Sequence, residues 1–183
     1  MMEVERTSIE GLLLLRPHKF ADERGSFMET WNEGQFRELV GPYHFVQDNE
    51  STSKAGVLRG LHLQLAPNAQ GKLLRAVRGA VLDVCVDVRK DSPTYGRHFK
   101  VRLDAVEPCA LWIPPGFAHG FLALEDNTVF AYKCTAPYDP KAERTILWND
   151  PDLGIEWGID EPLISDKDRN GSSFAGDWHM PNT

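Results

Sequence analysis

Three cysteines in 183 residues, Cys85, Cys109 and Cys134, are too few and too scattered for a disulfide framework or a CxxC metal site. Their odd number fits a reduced compartment, so a cytoplasmic protein is expected. Cations are also short, 20 Lys and Arg against 27 Asp and Glu, for a net charge of −7. Phosphate-backbone binders usually carry a basic face, so nucleic acid is not an expected partner. A single anionic ligand stays open, because a pocket needs only local positive charge. Long apolar runs are missing as well. The four leucines at 12–15 follow acidic residues and are too short for a signal-peptide core, and no other run could cross a bilayer. No membrane partner is expected. There is no internal repeat, no low-complexity tract and no linker within the first 150 residues.

What remains is a 42% hydrophobic chain long enough for a substantial core, read as one domain over 1–183. Most of it divides into short strands separated by Gly, Pro and Asp turns. The clearest is 80–88, where Leu82, Val84, Val86 and Val88 alternate with Asp83, Cys85 and Asp87. That pattern predicts a half-buried strand with its polar residues turned away from the apolar side. Further strands are predicted at 44–48, 57–64, 72–78, 98–104, 109–113, 120–124 and 128–135. One short helix is predicted over 32–40, with Phe36 and Leu39 on its apolar side and Gly41 as its stop. The class is mainly β, a sandwich or barrel with a few short helices. Two tryptophans, Trp148 and Trp157, lie among turn formers, so the segment at about 145–175 is expected to pack over the barrel. Beyond Gly171 the chain is polar and is expected to be mobile.

Chemistry concentrates in three blocks: VLRGLHLQ at 57–64, QGKLLR at 70–75 and IPPGFAHGF at 113–121. They set Arg59, His62, Lys72 and His119 among strand-like apolar residues. Burying such groups is costly unless they are paired or used. Together they suggest a pocket that moves protons and holds an anion. Strict alternation puts Arg59 and His62 on opposite faces, unless Gly60 marks a bulge that re-aims one of them. The unperturbed histidine pKa suits a base at neutral pH, and SDKD at 165–168 could supply its orienting carboxylate. Tyr132 could serve as a proton donor, with nearby cations expected to lower its pKa. A lone lysine in an apolar sheet needs a partner to stay charged, and Asp83 is the expected partner of Lys72. Arg24 and Arg59 could fork a diphosphate, Gln47, Asp48 and Asn49 could read hydroxyls or a base edge, and Tyr138 could stack on a planar ring. Pro114-Pro115-Gly116-Phe117-Ala118-His119 has the PxGxxH spacing of the second cupin metal motif. However, the HxH of the first motif here reads His62-Leu63-Gln64 with no glutamate soon after, so no metal is expected.

Taken in order, FADERGSFMETW, FVQDNES, VLRGLHLQ, AQGKLLRAVRG, VLDVCVDVR, IPPGFAHGFLAL, YKCTAPYDP, WNDPDLGIEW and SDKD resemble the dTDP-4-dehydrorhamnose 3,5-epimerase family over roughly 5–171. The resemblance implies a cupin-type jelly-roll barrel, a homodimer and no metal or organic cofactor. It also implies a dTDP-4-keto-6-deoxy sugar substrate on the route to dTDP-L-rhamnose. In the family's pattern His62 is the base, Asp168 its dyad partner, Tyr132 the acid on the opposite face and Lys72 the stabiliser of the enolate. Arg24, Glu29, Gln47, Asp48, Asn49, Arg59, His119, Glu143 and Lys167 contact the substrate, and Tyr138 stacks on thymine. Asn68 and the ending at 178–183 are not part of those motifs. Three rivals remain: an epimerase acting at C3 or C5 alone, a metal-dependent cupin and a non-catalytic sugar-nucleotide binder. The last has no need of His62, Tyr132 and Asp168 together.

Overall fold

The computed structural model describes residues 2–176 and 178. Two antiparallel sheets face each other. In the first, the strand order is β1 (Glu3–Arg6), β2 (Leu13–Arg16), β10 (Ala110–Ile113), β7 (Lys72–Arg78), β12 (Thr128–Cys134) and β5 (Gln47–Ser53). The second runs β13 (Glu143–Thr145), β6 (Leu58–Gln64), β11 (Phe117–Ala123), β8 (Ala80–Asp87) and β9 (His98–Asp104). Strands distant in sequence lie side by side, as in a jelly roll, and the fold is of the cupin type. A separate hairpin joins β3 (Lys19–Asp22) to β4 (Gly25–Met28).

Three apolar layers hold this frame. Between the sheets, Leu74, Leu111, Ile113 and Phe130 meet Val81, Cys85, Leu103 and Phe121. The outer face of the six-stranded sheet is covered by α1 (Glu33–Leu39), whose buried Phe36 packs with Leu73 and Trp112. Asn32 caps that helix by accepting from the Gln35 N–H at 3.0 Å. Over the outer face of the five-stranded sheet lie Ile146, Leu153, Trp157 and Trp178, packed on Leu58, Leu61, Val84 and Val86.

Covering both faces changes the reading of β8. The alternation predicts a half-buried strand, yet β8 is buried on both sides. Its apolar face, with Val84 and Val86, lies beneath the C-terminal segment, whereas Cys85 points into the barrel. Asp83 and Asp87 are fully buried and paired: Asp83 with His119, and Asp87 with Arg89, Ser92 and Thr94. The polar register therefore marks the interior side, where paired groups offset the cost of burial. Other differences are local. The strand expected at 44–48 begins at Gln47, the one expected at 120–124 begins at Phe117, and β1 to β4 and β13 lie outside the expected strands. The short helix α2 (Asp166–Arg169) was not anticipated either.

The ending expected to be mobile is anchored where it is described. Ser172 bridges Ile146, the Phe174 N–H donates to Asp150 Oδ2 at 2.7 Å, and Trp178 is buried. Asp177 and 179–183 lie outside the described residues. Among the described residues no helix is long and apolar enough to cross a membrane.

Candidate active site

A cavity of about 410 Å³ opens between the two sheets at one end of the barrel. From the six-stranded sheet, β12 contributes Tyr132 and Cys134, β7 contributes Lys72, and β5 contributes Gln47 and Asn49. His62 and Arg59 on β6 and His119 on β11 come from the opposite sheet. Glu143, Lys167 and Asp168 line it from β13 and α2, with Tyr138 at a loop.

Arg59 and His62 reach the same cavity because the strand is irregular between them. His62 pairs with His119 while Arg59 pairs with Phe121, so three steps along β6 match two along β11. Gly60 lies inside this step at φ +123°. A Cβ there would sit 2.5 Å from the Gly120 Cα and 2.7 Å from the His119 carbonyl oxygen. Only glycine fits both the angle and the approach. The expected bulge is real, and the two strands cross at a pair of glycines.

His62 Nε2 and Asp168 Oδ1 lie 2.5 Å apart, with the histidine side chain 24% exposed and the carboxylate 4%. Asp168 sits in α2, whose N-cap Ser165 accepts from the Asp168 N–H at 3.1 Å. Burial pushes the Asp168 carboxyl up, but the bonds to His62, Ser165 and the Gly60 N–H hold it below the usual carboxylate range. The carboxylate is therefore ionised and oriented, as a dyad partner must be.

Half-buried Lys72 faces Cys134 across the β7–β12 pair, and among the described residues no hydrogen bond engages its ammonium group. Burial lowers its pKa, opposed by Cys134, Cys85, Glu143 and Asp83. The expected Asp83–Lys72 pair does not form. Asp83 instead accepts from His119 Nε2 through Oδ2 at 2.8 Å and from the Cys85 thiol through Oδ1, acting on Lys72 only at a distance. Burial lowers the His119 pKa, as do Lys72 and His62, and these outweigh Asp83. A cation does lower the Tyr132 pKa as expected, but burial outweighs it. Burial raises it, with Cys134 and Glu143 adding to the rise and Arg59 opposing it.

The remaining expected contacts divide by strand face. Gln47 and Asn49 turn inward and bond to each other at 2.9 Å, whereas Asp48 turns outward to Lys133 at 2.6 Å. Asp48 thus stands outside the cavity of its own chain. So does Glu29, which accepts from Asn32 and Gln35 beside the start of α1. Arg24 lies at the β3–β4 turn, 85% exposed and paired with Asp22 at 2.6 Å. It lines a hollow with Phe20 and Phe27, apart from the cavity that Arg59 lines, so one chain does not form the expected arginine fork.

Gln64, which stands where a metal-binding cupin has its second histidine, spends its amide on backbone. It donates to the Asn68 and Pro137 carbonyls and accepts from the Asp139 N–H. Asn68 donates in turn to Asp139 Oδ2 at 2.6 Å, so these residues brace the loop that carries Tyr138. Neither role is visible from sequence spacing. Ser165 could have been found, because Ser-x-x-Asp before a short polar run is a helix-capping signature. Among the described residues, no group of three or more His, Cys, Asp and Glu side chains is placed to hold a metal ion.

The family model described as dTDP-4-dehydrorhamnose 3,5-epimerase matches residues 6–176. A Shigella flexneri protein of that name is 53% identical over 175 residues, covering 95% of this chain and 97% of its own. The crystal structure of a Legionella pneumophila dTDP-6-deoxy-D-glucose-3,5-epimerase in complex with dTDP-4-keto-L-rhamnose superposes with a TM-score of 0.93 at 41% identity, covering 100% and 99% of the two chains. A 3'-monoepimerase from Streptomyces bikiniensis, in complex with dTDP-quinovose, gives 0.89 at 40% identity and covers 93% and 87%.

Proposed function

We propose a catalytic route from the premise that this chain belongs to the dTDP-4-dehydrorhamnose 3,5-epimerase family. The chain is a dTDP-4-dehydrorhamnose 3,5-epimerase, an isomerase acting on a nucleotide-linked 4-keto-6-deoxy sugar. Its product is dTDP-4-dehydro-L-rhamnose. One observation carries the assignment of roles: the His62–Asp168 dyad and the Tyr132 hydroxyl enter one cavity from opposing sheets. A centre is inverted when a proton leaves one face and returns to the other, and this arrangement supplies a base and an acid on opposite sides.

In a 4-keto sugar both C3 and C5 adjoin the carbonyl, so their protons are acidic for C–H bonds. His62 takes the proton through the imidazole nitrogen that is not bonded to Asp168, and Asp168 stabilises the imidazolium. Negative charge moves to O4, where the Lys72 ammonium, free of a competing carboxylate bond, stabilises the enolate. Burial raises the Tyr132 pKa, so the hydroxyl stays protonated until it delivers its proton to the carbanion from the other face. Once His62 has released its proton to water and Tyr132 has regained one, the same steps at the second carbon give the double inversion without an electron-accepting cofactor. Arg59 beside the cavity suits the diphosphate, and exposed Tyr138 at the mouth suits a stacked base.

We further propose a homodimer. Phe20 and Phe27 pair across the β3–β4 hairpin and are both exposed, and Arg24 and Glu29 stand outside their own chain's cavity. A second copy covering this region would give these four residues a role that one chain leaves open. Sedimentation equilibrium showing a monomer at micromolar concentration would exclude this.

The test of function is proton NMR of dTDP-4-keto-6-deoxy-D-glucose with EDTA-treated protein in D2O. Deuterium at both C3 and C5 is expected. Deuterium at one carbon alone would make this a single-site relative, and none at either would remove the catalytic reading.

A further inference from the structure

A chain of side chains links the cavity mouth to the dyad. Tyr138 Oη donates to Glu143 Oε2 at 2.8 Å, and Lys167 Nζ donates to Glu143 Oε1 at 2.7 Å. Lys167 directly precedes Asp168, whose carboxylate holds His62. One carboxylate therefore commits an oxygen to the mouth loop and the other to the helix that carries the dyad partner. That helix has four residues, too few to hold a position by its own hydrogen bonds. Its place depends on its ties, of which the Lys167–Glu143 pair faces the cavity. Glu143 is a firm anchor because β13 pairs with β6, setting Glu143 opposite Gln64 and Thr145 opposite His62. Burial drives the Glu143 carboxyl up, but Lys167 and Tyr138 outweigh it and keep it ionised.

We propose that Glu143 is a positioning residue that couples occupancy of the nucleotide end of the cavity to placement of the His62–Asp168 dyad. This deepens the function proposed above and rests on it. A base stacked on Tyr138 restricts the ring and fixes its hydroxyl on Glu143. The second oxygen then fixes Lys167, and Asp168 with it. Binding free energy from a part of the substrate remote from the reacting carbons is thereby expressed in turnover. A 4-keto sugar phosphate without a base therefore loses kcat as well as affinity.

The experiment compares kcat and KM for C–H exchange with dTDP-4-keto-6-deoxy-D-glucose and with 4-keto-6-deoxy-D-glucose 1-phosphate. It uses wild type, Tyr138→Phe and Glu143→Gln. Tyr138→Phe keeps the stacking ring and removes only the bond to Glu143, so it decides the matter even if Glu143→Gln disturbs α2. In wild type the kcat ratio of full to truncated substrate should be about 5-fold or more, the lower end of usual coupling between sites. It should fall toward unity in both variants. An unchanged ratio in Tyr138→Phe, or a rise in KM alone, overturns the coupling while leaving the function intact. No exchange of either substrate by wild type overturns both.

Discussion

Two histidines face each other on neighbouring strands, each bonded to an aspartate, in very different surroundings. His62 is partly open to the cavity, and its aspartate comes from a four-residue helix in the C-terminal segment. His119 is buried, its partner Asp83 is wholly buried, and both belong to the barrel strands. Burial lowers the His119 pKa, so this imidazole is held neutral with Nε2–H on Asp83 and Nδ1 left as an acceptor. A base must trade protons with substrate and water. The open pair can do so, whereas the closed pair is suited to holding a fixed hydrogen-bond pattern at the cavity wall. The same two residue types thus do different work according to access.

The two histidines should part most widely when the open imidazole is removed. His62→Ala should abolish deuterium uptake at both C3 and C5, by about 10⁴-fold at the upper end of acid–base catalysis. Wild-type exchange in that variant would sink the base assignment. Lys72→Met should lower kcat by about 10²–10³-fold, as removal of a preorganised charge does, with KM changing less. Exchanging the carboxylates sharpens the contrast. Asp168→Asn should cost about 10²-fold in kcat and also lower Tm, because its carboxylate is buried and holds His62. Asp83→Asn should lower Tm more than kcat, because it disturbs a buried pair. Equal kinetic losses in these two variants would erase the distinction. Tyr132→Phe should slow inversion more than exchange, read from the ratio of product formed to deuterium incorporated.

The smallest effect is on stability. His119 and His98 are both lowered in the fold by burial, with Lys72 and His62 adding to this at His119 and Lys100 at His98. The unfolded chain therefore binds more protons between their folded values and about pH 6.5, and stability falls as pH drops through that interval. His119→Gln should flatten the dependence of Tm on pH there. An unchanged slope would mean that His119 is not held neutral.

Much of this site was legible as sequence. The strands expected at 72–78 and 128–135 carry Lys72 and Tyr132, and Gly60 between Arg59 and His62 signalled the bulge that brings both inward. The identity of the Asp83 partner was not legible, because it depends on which strand lies beside β8 in the sheet. Neither was the orientation of β8, because two-period patterning gives two faces without saying which is covered by later chain. Arg24, Glu29 and Asp48 show a third limit. Their chemistry suits a diphosphate sugar, yet local geometry turns them away from their own chain's cavity.

The short helix that presents Asp168 has a consequence for the order of events in the life of the molecule. The β strands carry the base, but its partner lies more than 100 residues downstream and is held by bridges such as Val57 to Leu163 and Ile146 to Ser172. A chain still emerging from the ribosome would therefore carry His62 without its aspartate. The dyad is assembled only once the C-terminal segment has docked on the barrel.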